Sequence, residues 1–390
     1  MSPRVLVTDG TARAVVAACR GLGRAGYLPS VTAAHHPAAA QWSRYCKRRF
    51  STPDPRHDPE YFIDRLEQIL VQEPHELLLA SSDAALLAVS EHRERIDRHT
   101  ATGLPVHDAV ERALDKDEIG RAAEAVGLAP PRSVRCDGVD ELPAAIAETG
   151  LPVVIKPGRS FEPAAARYSR LIVVRELDDA ILAEAAASVQ APLIVQQFVD
   201  GPIVSVGGVS AGGRLRALAV SRYLRTWPPG AGNAAASETI DPPAVIRDRV
   251  EALVQTLGWD GIFEVELVDI GDRLAVLDFN PRPYGSMTLA IRAGANLPAI
   301  WADSVLGRDA DYVEARAGTR YRWEDAELLH LAWQLRHGHV RSAAAVLRPR
   351  RHVVHAHLEL ADPGPFVARM LRVGRVAAGR VRRGARSAED

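Results

Sequence analysis

The stretch LDFNPRPYGSM, residues 277–287, places an acid, an amide and a guanidinium at alternate positions, Asp278, Asn280 and Arg282. Alternation in a strand puts all three on one face. The residues just before, FEVELVDIGDRLAVLDFN, read as a β-hairpin with Gly271, Asp272 and Arg273 as its turn. A three-residue loop pairs Ile270 with Leu274 and sets Glu266 opposite Asp278 and Val265 opposite Phe279. Phe263, Val265, Leu267, Ala275, Leu277 and Phe279 then share an apolar face, and Glu264, Glu266, Asp278 and Asn280 a polar one. A two-residue loop would mix the faces. Carboxylates facing each other across strands repel, by a few tenths to about 1 kcal/mol when solvated and more when buried. The face therefore calls for a cation. Two carboxylates and an amide are hard oxygen ligands, better suited to magnesium shared with nucleotide phosphates than to zinc. The Arg282 fork suits a phosphoryl or carboxylate oxygen. A plain solvated sheet face is the competing reading.

Of the 48 lysines and arginines, only Lys47, Lys116 and Lys156 are lysine. A chain that uses arginine almost throughout marks its remaining lysines as sites that want a compact ammonium. Lys47, beside Arg48 and Arg49, carries no such implication.

The elements that must position these groups are those of an α/β protein. With 390 residues, 47% apolar and 25% charged, the chain can bury a substantial core in two or three domains. It opens as strand, helix, strand: Arg4 to Thr8, Thr11 to Gly26, Pro29 to Ala33. A helix from Pro59 to Glu73 leads into the strand ELLLASSD. Such alternation favours a parallel sheet, with ligands at the carboxyl ends of its strands. Ser81, Ser82 and Asp83 sit at such an end, where substrate contact and helix capping are both open readings. A second unit begins near Gly103, with DKDEIGRAAEAVGL opening a helix and LPVVIKP a buried strand. RLIVVREL, a helix from Asp178 to Val189, and PLIVQQFV follow. Long strands, IVSVGGVS and LRALAVSRYLRTW, then lead into a loop, PPGAGNAAASE. Neither a secretory signal nor a membrane-length apolar span is read, so cytoplasmic residence is expected. Cys19, Cys46 and Cys136 are too scattered for a paired metal motif and are read as reduced structural thiols.

The ordered set resembles the ATP-grasp superfamily. In that family a glutamate on one strand and an acid-x-asparagine-proline-arginine segment on the next hold two magnesium ions on ATP. The matching residues here are Glu266, Asp278 and Asn280, followed by Arg282. Lys116 and Lys156 match the two phosphate-contacting lysines, and IVQQFVDG matches the segment that reads adenine, placing Gln196, Gln197, Phe198 and Val199 near the base. The resemblance covers roughly residues 1–310. It implies a Rossmann-like pre-ATP-grasp domain over 1–103, a central lid subdomain over 104–192 and a C-terminal antiparallel-sheet subdomain with the metal site over 193–310. A C-terminal helical extension with a basic tail follows over 311–390. Three departures stand out. Ile203 occupies the place of a ribose-binding glutamate, leaving Asp200 as the substitute. Asp278 replaces the usual glutamate, and GRSFEPAAARYS is poor in glycine for a phosphate lid, leaving Ser160 and its backbone to serve.

The resemblance implies a ligase that activates a carboxylate as an acyl phosphate and joins it to an amine, using ATP and Mg2+, with Mn2+ as a substitute. Arg282 would stabilise the oxyanion of the tetrahedral intermediate. SRYLRTWPPGAGNAAASE resembles a loop of amide-forming members, so Arg222 and Arg225 would hold substrate carboxylate or phosphoryl group while Gly230 to Ser237 close over it. Two other readings remain: a bicarbonate-phosphorylating carboxylase, and an inactive nucleotide-binding scaffold at a membrane. The partners expected are small-molecule carboxylates and amines, a second copy of the chain, and no nucleic acid. In the extension, Trp323 to His337 reads as a helix whose Trp333 and leucines belong to the core. His352, His355 and His357 lie in a strand-like run and are read as ordinary strand residues. At helical spacing the seven arginines from Arg369 to Arg386 fall on one arc, opposite Phe366, Val367, Met370, Leu371, Ala377 and Val381. Residues 366–386 thus form a candidate contact with an anionic membrane surface.

Overall fold

The computed structural model describes residues 2–159, 161, 171–176, 192–230, 232–308, 311–348 and 353–386, with 376–386 described by backbone alone. The expected helix from Asp178 to Val189 and the expected phosphate contact Ser160 lie outside the described residues.

Four short strands, β1 (Arg4–Val7), β2 (Leu28–Ala33), β3 (Arg49–Ser51) and β4 (Leu77–Leu79), form a parallel sheet in the order β3-β2-β1-β4. Valines and leucines fill β1 and β4 because helices Arg13–Arg24, Pro59–Gln72 and Asp83–Glu91 cover the faces of the sheet. This is the Rossmann-like opening that the strand-helix-strand pattern anticipates.

A small sheet follows, in the order β5-β8-β6-β7, from β5 (Ser133–Cys136), β6 (Val153–Pro157), β7 (Ile172–Val174) and β8 (Leu193–Gln197). Helix Leu142–Thr149 packs on it around a separate core that includes Cys136, Ile146, Val153 and Val195. The helices His107–Leu114 and Lys116–Ala125, expected within this lid unit, instead bury Val110, Leu114 and Ile119 in the large core shared with Phe263 and Phe279. Lys116 is thus anchored to the body of the molecule while Lys156 rides on the small sheet.

The large sheet is built on β9 (Ile203–Ala211), β10 (Arg214–Trp227), β11 (Asn233–Thr239), β12 (Gly261–Asp269) and β13 (Leu274–Asn280). Its order is β13-β12-β9-β10-β11-β15-β16, with β14 (Val313–Glu314) beside β10, β15 (Arg320–Arg322) and β16 (Val353–His355). Two expectations change. Most of the supposed closing loop, Asn233 onward, is strand β11, its alanines buried against β10, so only the stretch around Gly230 remains as a turn. The stretch after residue 310 adds three strands to the same sheet and is continuous with it rather than appended to it.

The extension's helices divide. Helix Glu324–Arg336 leaves Leu328, Leu329 and Leu335 exposed, against the expectation of a core face, because its inward side carries Ala326, Glu327, His330 and Gln334. Helix Gly364–Arg386 runs unbroken through Gly374, Gly379 and Gly384. Its start is docked: Gly364 lies so close to the Trp42 carbonyl that no Cβ would fit, and Ala368 is buried. Just before it, Asp362 accepts from Arg20 Nε at 2.8 Å, Ser43 Oγ at 2.7 Å and the Arg44 N–H at 2.8 Å, all within the N-terminal domain. Cys19, Cys46 and Cys136 are free thiols. No helix among the described residues is long and apolar enough to cross a membrane.

Candidate active site

The β12–β13 hairpin has the expected register where it matters: Glu264 faces Asn280, Val265 faces Phe279 and Glu266 faces Asp278. Nearer the turn it differs. Leu274 pairs with Asp269 rather than Ile270, and a bulge between Glu266 and Leu267 leaves Leu277 without a partner. Such an extra residue re-aims its neighbours. Val276 therefore takes the core place assigned to Leu277, beside Phe263, Val265 and Phe279. The Leu277 side chain lines a cleft instead, and its carbonyl accepts from Lys156 Nζ at 2.9 Å.

Three carboxylates crowd the polar face, each held by a different donor. Glu264, 5% exposed, accepts from Ser205 Oγ at 2.6 Å and Asn280 Nδ2 at 3.3 Å. Glu266 accepts from Tyr223 Oη at 2.6 Å. Asp278 accepts from Lys116 Nζ at 2.6 Å. Burial, with Glu264 as a near neighbour, pushes the Glu266 carboxyl up to about 8. Asp278 is half-buried, and although desolvation raises it, Lys116 and Lys156 outweigh that and hold it below the usual carboxylate range. Lys156, 8% exposed, donates to Gln196 Oε1 at 2.9 Å. Burial, then the charge of Lys116, lowers its ammonium to about 7. Lys116 opens its helix, whose cap Asp115 accepts from the Asp117 and Glu118 N–H groups at 2.9 and 3.1 Å, and its own N–H reaches the Gly158 carbonyl at 3.0 Å. That bond ties the two lysine-bearing segments together.

Among the described residues no three His, Cys, Asp or Glu side chains already converge on one point. Glu266, Asp278 and Asn280 nevertheless offer only hard oxygens, and the raised Glu266 marks a cluster short of positive charge. That donor set fits a hard divalent cation that takes most of its shell from phosphate and water.

The cleft beside Lys156 encloses roughly 730 Å3, part of it open to solvent, and is lined by Gln196, Gln197, Phe198, Val199, Leu277 and Asp278, among others. Ile203 also lines it. The Gln197 and Phe198 N–H groups are used by Arg132 and Pro152 carbonyls. Asp200, the expected ribose contact, is exposed and outside the lining of this cleft.

Arg282 stands on the other side of the acid face. Its Nε and a terminal nitrogen bind Asp83 at 2.6 and 3.2 Å, and it reaches Asn280 Oδ1 at 3.2 Å. Ser82 caps helix Asp83–Glu91, so of the two roles left open the structure shows the capping one, while Asp83 holds Arg282. The expectation for the two loop arginines is corrected. Arg222 lies on the opposite side of β10 from Tyr223 and pairs with Glu238 at 3.2 Å. Arg225, after a bulge, is held by Glu327 at 2.7 and 2.6 Å. Neither is brought to Glu266 or Asp278. The residue of that segment that is brought there is Tyr223, which the sequence reading missed. Glu264 was placed on the polar face but not counted as a ligand, although its alternation with Glu266 was the available signal.

A family model described as ATP-grasp in the biosynthetic pathway with Ter operon matches residues 189–327. The chain is 24% identical over 267 residues to a carbamoyl phosphate synthase large chain of Pseudomonas syringae pv. tomato, covering 64% of this chain and 24% of that one. It is 27% identical over 266 residues to a formate-dependent phosphoribosylglycinamide formyltransferase of Cupriavidus necator, covering 64% of each. The chain thus spans between a quarter and two thirds of these relatives' lengths. An N5-carboxyaminoimidazole synthetase from Staphylococcus aureus complexed with ADP superposes with TM-score 0.62 at 12% identity, covering 80% of this chain and 79% of that one. An L-amino acid ligase from Bacillus licheniformis superposes with TM-score 0.56 at 16% identity, covering 78% and 74%. With its parallel N-terminal sheet, its small lysine-bearing sheet and a large sheet carrying the acid-amide face, the chain shares the fold of these enzymes, and its residues 189–327 match an ATP-grasp family model.

Proposed function

We propose that this protein is an ATP-dependent ligase that activates a small-molecule carboxylate and joins it to an amine. The observation that carries the reading is that Lys156, Glu266 and Asp278 line one cleft while Lys116 Nζ donates to Asp278 at 2.6 Å. A substrate carboxylate oxygen attacks the γ-phosphorus while the bond to the ADP oxygen breaks, giving an acyl phosphate and ADP. An amine nitrogen then attacks the acyl carbon, loses a proton, and inorganic phosphate departs. Glu266, Asp278 and Asn280 would hold magnesium, one or two ions with manganese able to substitute, which neutralises charge on the triphosphate. Lys116 and Lys156 bind phosphate oxygens, Gln196 to Val199 border the base, and Arg282 faces the oxyanion. Tyr223 orients Glu266. The small sheet of β5, β6, β7 and β8 acts as the lid.

The test is magnesium-dependent ADP release against pools of amino acids and other carboxylates, with hydroxylamine to trap the acyl phosphate. Hydroxamate formation that disappears in Asp278→Ala supports carboxylate activation; ADP release with bicarbonate alone would favour the carboxylase reading, for which structural likeness to a biotin carboxylase of Campylobacter jejuni speaks (TM-score 0.59, 13% identity). Peripheral membrane contact through residues 366–386, where Val367, Met370, Leu371 and Val373 are exposed, is tested by co-sedimentation with anionic liposomes. A homodimer is tested by sedimentation velocity.

A further inference from the structure

A second cavity of roughly 830 Å3, part of it open to solvent, lies on the far side of Arg282 from the lysines. The N-terminal domain contributes Arg13 and Ser82, the large sheet Arg282, and the extension Trp323, His357 and Arg369. Three of its four basic groups are already balanced. Arg282 is paired with Asp83 at 2.6 Å, Arg369 with Asp325 at 2.6 Å and His357 with Glu324 at 3.4 Å.

Arg13 is different. Among the described residues it has no carboxylate within ion-pair distance, and its Nε is buried without a hydrogen-bond partner. Its guanidinium lies flat over the Trp323 ring, 3.8 Å from the centroid, and the Trp323 Nε1 is likewise buried and unpartnered. Gly285 is what lets the guanidinium lie there, since a Cβ at that position would come within 2.2 Å of it. Arg13 also opens helix Arg13–Arg24, whose cap residue Ala12 supplies no side-chain hydrogen bond. The N–H groups at that end point toward an anion in the usual way. A half-buried guanidinium with its Nε unpartnered and no carboxylate within ion-pair distance is a group that an anion in the cavity would satisfy.

We propose that this cavity binds an anionic group of the small-molecule substrate, with Arg13 as its counter-charge and the C-terminal extension as its outer wall. The word substrate rests on the ligase reading; the anion site does not. The extension is held in place for this by the buried Arg20–Asp362 pair, which lets a segment beyond the matched family region supply His357 and Arg369 to the site beside Trp323. The chemistry shared by candidate ligands is a carboxylate or a phosphate ester group on a compact molecule.

The test is titration of the full chain with succinate and, separately, inorganic phosphate at constant ionic strength, followed by calorimetry and tryptophan emission. Wild type should bind at least one of them, and the preferred ion tells carboxylate from phosphate. Arg13→Met, which keeps the stacking on Trp323, should weaken that binding at least about tenfold while Mg-ATP affinity stays unchanged. Arg13→Lys should recover part of it, which separates loss of charge from misfolding. The emission change should vanish in Trp323→Phe. Equal anion binding by wild type and Arg13→Met would overturn the site, as would no binding of either ion by wild type. The two proposals fail separately. Arg13-dependent anion binding without ADP release in any pool removes the ligase and keeps the site. Turnover with an unchanged carboxylate KM in Arg13→Met removes the site and keeps the ligase.

Discussion

The acid-amide face of the β12–β13 hairpin separates two cavities of opposite chemical habit. One is lined by Lys116 and Lys156, with Arg121 and Arg135 also on its wall, the other by Arg13, Arg282 and Arg369 and by no lysine. Two of the chain's three lysines therefore serve one cavity, in a protein that otherwise uses arginine. An ammonium is a compact point charge that can change its protonation and follow a phosphate chain; a guanidinium stays charged and presents a rigid fork. Buried carboxylates on the dividing face can be met by the first kind of group from one side and oriented by the second from the other. The difference between the cavities is a division of labour between moving charge and fixed charge.

The sharpest way to break that comparison is to exchange the two kinds of cation. Lys156→Arg should lose ADP release nearly as completely as Lys156→Met, by two orders of magnitude or more, as for other groups that meet developing charge in a dry site. The planar fork would have to replace the contacts that the Lys156 ammonium makes at one point with Gln196 Oε1 and the Leu277 carbonyl, both at 2.9 Å. Steady-state ADP release checks this, and an active Lys156→Arg enzyme would dissolve the distinction. Asp278→Asn should be as severe, through loss of magnesium-dependent turnover.

On the arginine side the expected effects are smaller and partly structural. Arg282→Lys keeps a charge but gives up the two-point contact with Asp83, which is 1% exposed. Turnover should fall by about 10- to 100-fold with ATP affinity retained, since Arg282 does not line the nucleotide cleft. Equal losses in kcat and ATP affinity would mean that Arg282 belongs to the lysine side. The wall of the arginine cavity depends on Arg20 and Asp362, both about 1% exposed. Arg20→Met alone should cost about 3–5 kcal/mol, because it strands a buried carboxylate, whereas Arg20→Met with Asp362→Leu should cost clearly less. Urea denaturation of the single and double variants measures the difference. Additive losses would show that the pair does not act as a unit.

The lysine side was the legible one. Glu266, Asp278 and Asn280 fall in short runs whose alternation fixes which face they share, while Lys116 and Lys156 stood out as two of only three lysines and took their expected role from the family resemblance. The bulge at Leu277 was not legible, because alternation continues through it in the sequence and only the backbone shows the slip. Tyr223 was hidden for a similar reason: the arginines around it drew attention, while its role depends on which face of β10 meets β12 across β9. The arginine side was scarcely legible at all. Arg13, Trp323, His357 and Arg369 come from segments up to 356 residues apart in number (369 − 13), and no local pattern links them. They meet because the buried Arg20–Asp362 pair folds the extension back onto the first helix.

Protonation offers the finest test of moving against fixed charge. In the free protein Lys156 sits near pH 7, down from an ordinary lysine's 10.5. Between those values the unfolded chain holds more protons than the native one, so this lysine's contribution to stability is full above 10.5 and is lost as pH falls through about 7. Glu266 works the other way: raised from 4.5 to about 8, it contributes fully below 4.5 and loses that contribution as pH rises through about 8. Binding of a triphosphate should restore the ammonium, with uptake of a proton above pH 7. ATP affinity should then decline as pH rises beyond 7, by at most about tenfold per unit. Calorimetry with metal-free ATP at pH 8, where no metal displaces a proton from Glu266, in two buffers of different ionisation enthalpy would read the proton, and Lys156→Met should abolish it. Arg13→Lys should leave it untouched, since Arg13 lines neither cavity that holds Lys156. Absence of uptake in wild type would mean that Lys156 is charged before nucleotide arrives, held by Gln196 and the Leu277 carbonyl, and both cavities would then present fixed charge.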